Sequence, residues 1–197
     1  MRRRSPVLWI VLGIVAVLFF WGCNQQRGLA TADNSVQNAW SNVETNYQRR
    51  TDLYSSVVKT IQGSANFEKG TLTEVINARS KATSIRVDLN DSTSLQQYQQ
   101  AQTQLQGSFS RLMAVAEAYP DLKTTKAFQD FQTQIEGTEN RINTARRDFN
   151  AAVFAYNQKV RLFPNNIFAK ILGYPLRGFY KADAGTEKNP DINFDIK

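Results

Sequence analysis

The sequence predicts an all-α protein: an N-terminal transmembrane helix followed by an antiparallel four-helix up-down bundle. Three observations lead there. A charge-free apolar run, Val7 to Cys23, follows three consecutive arginines. From Asp33 onward, apolar residues recur at spacings of three and four through four segments, and no segment alternates with the two-residue period of a strand. The links between segments are short, and short links force consecutive helices to lie antiparallel.

The uncharged interval as a whole, Ser5 to Gln26, is 22 residues. As a helix it measures about 33 Å, close to the ~30 Å hydrocarbon thickness of a bilayer. Arg2, Arg3 and Arg4 precede the run and only Arg27 closely follows it, which orients the N-terminus to the cytoplasm by the positive-inside rule. Trp9 and Trp21 stand near its two ends, where interfacial aromatics belong. The expectation is a single-pass protein of the cell membrane with its bundle on the outer, periplasmic or extracellular, side. Two forms of attachment stay open. One is an uncleaved signal anchor. The other is a lipoprotein signal cut before Cys23, which would then carry the lipid; Gly22 suits that cleavage, while Phe20 and Trp21 stand where an aliphatic and a small residue are usual. The expected organisation is an anchor at 1–23, a helical bundle at 24–164, and an apolar, basic tail at 165–197 ending in a flexible terminus.

In the first bundle helix Val36, Trp40, Val43, Tyr47, Tyr54, Val57 and Ile61 form a stripe of period 3.5, with Arg50 filling its one gap. That is the seam of coiled-coil-like packing at a shallow angle. Gly63 and Gly70 end the helix near residue 62. A second helix from about Glu68 turns Leu72, Val75, Ile76 and Ala82 inward. Asp88 to Ser94 supplies capping oxygens, and a third helix follows with Leu95, Tyr98, Leu105, Phe109, Leu112, Met113 and Ala116 inward. It stops at Tyr119-Pro120, because the residue before proline avoids helical dihedrals. The fourth runs from about Thr125 to Leu162, burying residues from Phe128, Phe131 and Ile135 through Ile142, Ala145, Phe149, Ala152, Tyr156 and Val160. Residues 33–163 should thus be almost wholly helical, with turns near 63–67, 88–94 and 120–124.

Charge and composition narrow the function. The net charge of +7 suggests a polyanion partner until it is placed. Residues 1–27 hold four of the 24 bases and none of the 17 acids, which leaves a balance of only +3 on the rest. That is a solvated surface rather than a phosphate-binding stripe, so no nucleic-acid partner is expected. The chain has no histidine and one cysteine. Histidine-based nucleophile systems and zinc sites are excluded, and the acids show no calcium-loop spacing. No catalytic residue, metal ligand, cofactor or small-molecule substrate follows.

The densest polar cluster is Glu136-Gly-Thr-Glu-Asn-Arg141 inside the fourth helix. A mid-helix glycine costs about 1 kcal/mol relative to alanine, so something should offset it. Two accounts compete. In one, Gly137 admits a neighbouring helix while Glu139 or Asn140 pairs with Arg49 or Arg50. In the other, Glu136, Gly137, Glu139, Asn140 and Arg141 form a notch for a protein partner. Arg146-Arg147 is a further basic pair suited to ion pairing or a solvated face. The tail, with Phe168, Tyr174, Phe179 and Tyr180 among Lys170, Arg177 and Lys181, is either a lid on the bundle or an interfacial contact with lipid.

Taken in order, several blocks resemble the LemA family of bacterial membrane proteins. They are Val36–Glu44, Tyr47–Leu53, Phe67–Leu72, Ala78–Ser80, Leu112–Pro120, Glu136–Ile142, Ala145-Arg-Arg, Tyr156-Asn157 and Phe163-Pro164. The resemblance covers nearly all of the chain beyond the anchor and implies a membrane-tethered helical bundle without catalytic residues. In one place the chain departs from it. Where the family has Ile-Pro-Asn-Leu-Val, this chain has Tyr54-Ser-Ser-Val-Val58, and the lost proline implies a straighter first helix. The function expected is a non-enzymatic scaffold or adaptor of the LemA type, tethered to the membrane and meeting an unidentified protein partner on its helix faces. The alternative is a lipoprotein binding module with lipid on Cys23.

Overall fold

The computed structural model of the chain describes residues 6–62 and 68–181, and the backbone alone at 6–8, 10, 11, 14–25 and 123. Among the described residues there are six helices and no strand: α1 (Pro6–Gln62), α2 (Lys69–Ser84), α3 (Ser92–Ala116), α4 (Pro120–Lys123), α5 (Lys126–Arg161) and α6 (Asn165–Leu172). The all-α class therefore holds, but the turn expected at 120–124 is itself a one-turn helix with Pro120 in its first turn. The tail adds α6, and the turn expected at 63–67 lies outside the described residues.

α1 is one helix of 57 residues, about 86 Å at 1.5 Å per residue. No break separates the apolar run from the buried stripe. Val36, Val43, Val57 and Ile61 are fully buried, and Trp40, Tyr47 and Tyr54 nearly so. The helix passes straight through Tyr54, whose ring stacks on Phe109 at a 3.6 Å centroid separation and 4° between planes. Without a proline here the backbone ladder has nothing to interrupt it. Among the described residues no helix is long and apolar enough to cross a membrane. Most side chains of Val7–Cys23, and with them the expected span, lie outside the described set.

Contacts between helices give their directions. Arg50 meets Glu139, Tyr47 meets Arg146, and Gly28 accepts from Lys159, so α5 runs antiparallel to α1. Glu74 pairs with Arg111 and Lys81 with Gln104, so α2 and α3 are antiparallel to each other. Arg50 with Gln102 and Tyr54 with Phe109 set α3 parallel to α1. The start of α3 is capped as its sequence predicts, the Asp91 carboxylate accepting from the amides of Thr93 and Ser94 at 2.8 and 3.2 Å. Those bonds hold the Asp91 carboxyl below its ordinary pKa.

The core divides into two clusters. One joins Leu29 to Tyr47 of α1 with Ile142 to Val160 of α5, the start of α3, and Ala169 and Tyr180 of the tail. The other joins Tyr54 to Ile61 with α2, the rest of α3, Leu122 and Phe128. Between them lies a buried polar layer of Arg50, Thr51, Gln102 and Thr138. Several expected core positions differ. Ile76 is 44% exposed, because α2 spans only four turns and its buried face is set by Leu72, Val75, Ala78 and Ala82. Met113, Phe131, Ile135 and Ala152 are half-buried, each at the margin of a cluster. Val153 is completely buried and was not among the positions expected from the stripe.

Candidate functional site

Among the described residues, Arg50 is the largest completely buried side chain. It occupies a core position of the α1 stripe, so helix geometry leaves its guanidinium nowhere to go but between α3 and α5. Nη1 donates to Glu139 Oε1 at 3.2 Å, and Nη2 donates to the backbone oxygen and Oε1 of Gln102 at 3.2 and 2.6 Å. Its charge also lies 4.7 Å from the Tyr47 ring centroid and 5.7 Å from that of Tyr54. The Tyr54 hydroxyl donates to the same Glu139 oxygen at 3.4 Å. Burial pushes the Tyr54 and Tyr98 phenols well above their ordinary pKa, with Arg50 opposing the shift in both. Both stay neutral at physiological pH. The layer binds helices together and presents no nucleophile.

One turn toward the N-terminus of α1, Tyr47 Oη accepts from Arg146 Nε and Nη2 at 2.8 and 2.5 Å. With its lone pairs taken, Tyr47 directs its own proton to Tyr180 Oη. The Arg146 guanidinium lies 4.5 Å from the Tyr180 ring centroid. The tail reaches this point by a defined path. After α6, Gly173 adopts φ +75°, a left-handed cap that side chains resist, and the chain turns back along the bundle as an extended strap, 174–181. Asn157 clamps Arg177, donating to its carbonyl and accepting from its amide, both at 2.9 Å. Asn150, seven residues earlier on the same helix face, clamps Tyr180 likewise at 2.9 and 2.8 Å. The Arg177 side chain donates to Asp33 Oδ1 at 2.6 Å and Asn90 Oδ1 at 2.5 Å, joining α1 to the α2–α3 connection. Gly178 lies so close to α3 that a Cβ there would meet Ser92 Cβ at 3.3 Å. Residues 165–181 therefore pack across the bundle as a lid, one of the two forms expected for the tail, whose remaining residues lie outside the described set.

Asn157→Ala removes both bonds that hold Arg177. At about 0.5–1.5 kcal/mol per bond, the strap should open roughly tenfold more often. Tryptic cleavage after Arg177, followed by mass spectrometry at unchanged helical content, should accelerate accordingly. An unchanged rate would mean that the clamp contributes nothing.

The residues singled out in the fourth helix separate. Glu139 turns inward to Arg50, as one of the two accounts required. Glu136, Gly137, Asn140 and Arg141 face solvent. Among the described residues, no atom outside the local backbone lies within 4 Å of where a Gly137 Cβ would stand, so close packing against them is not the reason for this glycine. Asn140 and Arg141 instead line an open groove of about 400 Å³ between α1 and α5, with Asn42, Asn46, Thr144 and Asp148. A second groove, about 430 Å³, runs between α1, α2 and α3 past Glu44, Gln48, Thr83 and Gln102. Among the described residues no cluster of His, Cys, Asp and Glu could hold a metal ion. The side chain of Cys23 lies outside the described residues. Asn150, Asn157, Arg177 and Tyr180 were not anticipated as a working group. The seven-residue spacing of the two asparagines was their one visible signal, and nothing in the sequence said what they would grip.

The LemA family model matches residues 39–194, from the α1 stripe through the strap. The chain belongs to the LemA family. Among its relatives, Protein LemA of Metamycoplasma hominis is 28% identical over 166 residues, covering 84% of this chain and 73% of that protein. Magnetosome protein MamQ 2 of Paramagnetospirillum magneticum is 26% identical over 90% of this chain and 74% of its own length. Magnetosome protein MamQ of Magnetospirillum gryphiswaldense is 24% identical over 92% and 75%. These matches span the clamp residues of α5 as well as the core stripe, so the LemA-family match takes in the strap along with the helices.

Proposed function

We propose that this LemA-family chain is a non-enzymatic, membrane-tethered scaffold or adaptor that works through protein–protein contacts on its helix faces. Residues 1–23 anchor it as a single pass with the N-terminus in the cytoplasm. α1, α2, α3 and α5 form an up-down bundle on the outer side, and the tail from 165 closes its anchored end. The observation that carries this reading is the continuity of α1. The apolar run and the buried stripe belong to one helix, Pro6–Gln62, so whatever holds the run also holds the bundle. An 86 Å rod of this kind, about 1.5 Å per residue, sets contact faces at defined heights above a bilayer. The relatives support a role without chemistry only in that their names state a family and a magnetosome protein rather than a reaction.

The partner face is the α1–α5 groove where Asn140 and Arg141 meet Asn42 and Asn46. The groove is open and lined by Asn42, Asn46, Asn140, Arg141, Thr144 and Asp148, side chains able to hydrogen-bond a docking protein surface. A photocrosslinking amino acid in place of Arg141, in intact cells, should yield one discrete protein adduct that is lost on adding Asn46→Trp to fill the groove. A smear insensitive to Asn46→Trp, or no protein adduct at all, would sink the scaffold face.

A further inference from the structure

Among the described residues, α6 presents an apolar ridge with nothing packed against its outer side. Its inner side is used: Ala169 is buried, and Phe168 packs on the cluster that contains Leu29 and Ala32. Its outer side is not. Phe163 is 79% exposed, Ile167 51% and Ile171 75%. Ile167 and Ile171 stand four apart within α6 and so share a face, and Phe163 is exposed in the turn just before the helix. Leu162 and Leu172, on either side of this stretch, are exposed as well. Singly exposed apolar residues need no explanation, but a contiguous ridge of this size marks a contact surface.

Its place in the fold says what covers it. Lys159, just before the ridge, donates to the carbonyl of Gly28 at 3.3 Å, and Ala169 shares a core cluster with Leu29 and Ala32. The ridge therefore lies beside the first turns of α1 beyond the apolar run Val7–Cys23. Charge agrees. From Phe149 to Lys181 the chain carries five bases and no acid, and Arg27 adds another at the same level. Arg177 is committed to Asp33, while Arg27, Lys159, Arg161 and Lys170 are exposed around the ridge. Apolar residues on one face with exposed cations at its edge are what an anionic lipid surface accepts.

We infer that α6 is a second membrane contact: its Phe163–Ile167–Ile171 ridge beds into the lipid interface beside the emerging α1 helix. This rests on the tether proposed above and adds to it. A single span allows the bundle to swivel and tilt about one point. A second point of contact, carried by the strap that Asn150 and Asn157 clamp to the bundle, removes that freedom and fixes which face of the bundle looks away from the membrane.

The test uses the full chain reconstituted into vesicles of phosphatidylethanolamine and phosphatidylglycerol. p-Benzoylphenylalanine replaces Ile171, Leu12 within the apolar run, or Ile76 on α2, all exposed on the protein. After irradiation, mass spectrometry identifies what each has joined. Lipid adducts are expected at Leu12 and at Ile171, the latter roughly tenfold above Ile76 as befits an interfacial rather than a solvated position. Lipid adducts at Leu12 with none at Ile171 would overturn the second contact and leave the tether standing. Lipid adducts at neither would overturn both. A protein–protein adduct at Ile171 would assign the ridge to a second copy of the chain and overturn the inference.

Discussion

Replacing Phe149 with alanine should lower the unfolding free energy by about 3–5 kcal/mol, the usual loss for a fully buried aromatic. Phe149 has no solvent exposure. It lies where α5 faces Trp40, with ring centroids 5.3 Å apart at 62°, an edge-to-face pair whose worth exceeds its buried area. The surroundings leave little room to collapse into the gap. Trp40 is itself wedged edge-on against Tyr98 at 5.6 Å, and Tyr98 against Tyr47 at 5.5 Å. Chemical unfolding of the full chain in mild detergent, followed by circular dichroism, measures the loss. A change below about 1 kcal/mol, well under the range for core aromatics, would mean that α5 does not present this face to α1.

Glu139→Ala should cost about 3 kcal/mol, the low end of the range for removing one partner of a buried ion pair. The low end applies because Glu139 keeps 24% of its side chain exposed, whereas Arg50 keeps none. Gln102 would still accept from Arg50, but the charge would lose its carboxylate in a site where, among the described residues, Arg50 Nε already has no hydrogen-bond partner. Changing both, Arg50→Met with Glu139→Leu, should recover most of the loss, since apolar residues of similar volume often match a buried pair in stability. If the double variant were as unstable as Glu139→Ala, packing rather than the stranded charge would be at fault. The layer has a positional role as well. Sliding α5 along α1 by one residue takes the carboxylate from the guanidinium, a constraint that the aliphatic contacts above and below cannot supply.

Both effects trace to residues whose pattern could be read before the fold. The 3.5-residue stripe of α1 was legible because a buried seam tolerates little else, and Arg50 in its gap marked the polar layer. The limits of α5 were legible too, since Thr125 caps it through the Phe128 amide and Pro164 follows its end. Ile76 misled because a four-turn helix offers too few residues to tell its inner ridge from the neighbouring one. Gly137 misled because helix propensity identifies a cost without saying what offsets it, and the structure shows no close neighbour there. The strap was the least legible part. Asn150 and Asn157 grip backbone atoms, and backbone groups carry no sequence signature of their own. The cluster at Glu136–Arg141 was visible as dense in polar groups, but only the fold separates Glu139, which turns inward, from Asn140 and Arg141, which line the outer groove.

The intact mass of the chain recovered from washed membranes tests the central claim most directly, because the proposal makes the apolar run and the bundle one retained helix. The account predicts that the protein stays with the membrane after an alkaline wash and keeps residues 1–22, with no acyl mass on Cys23. A chain that begins at Cys23 and carries acyl mass, or one released by the wash, would contradict it.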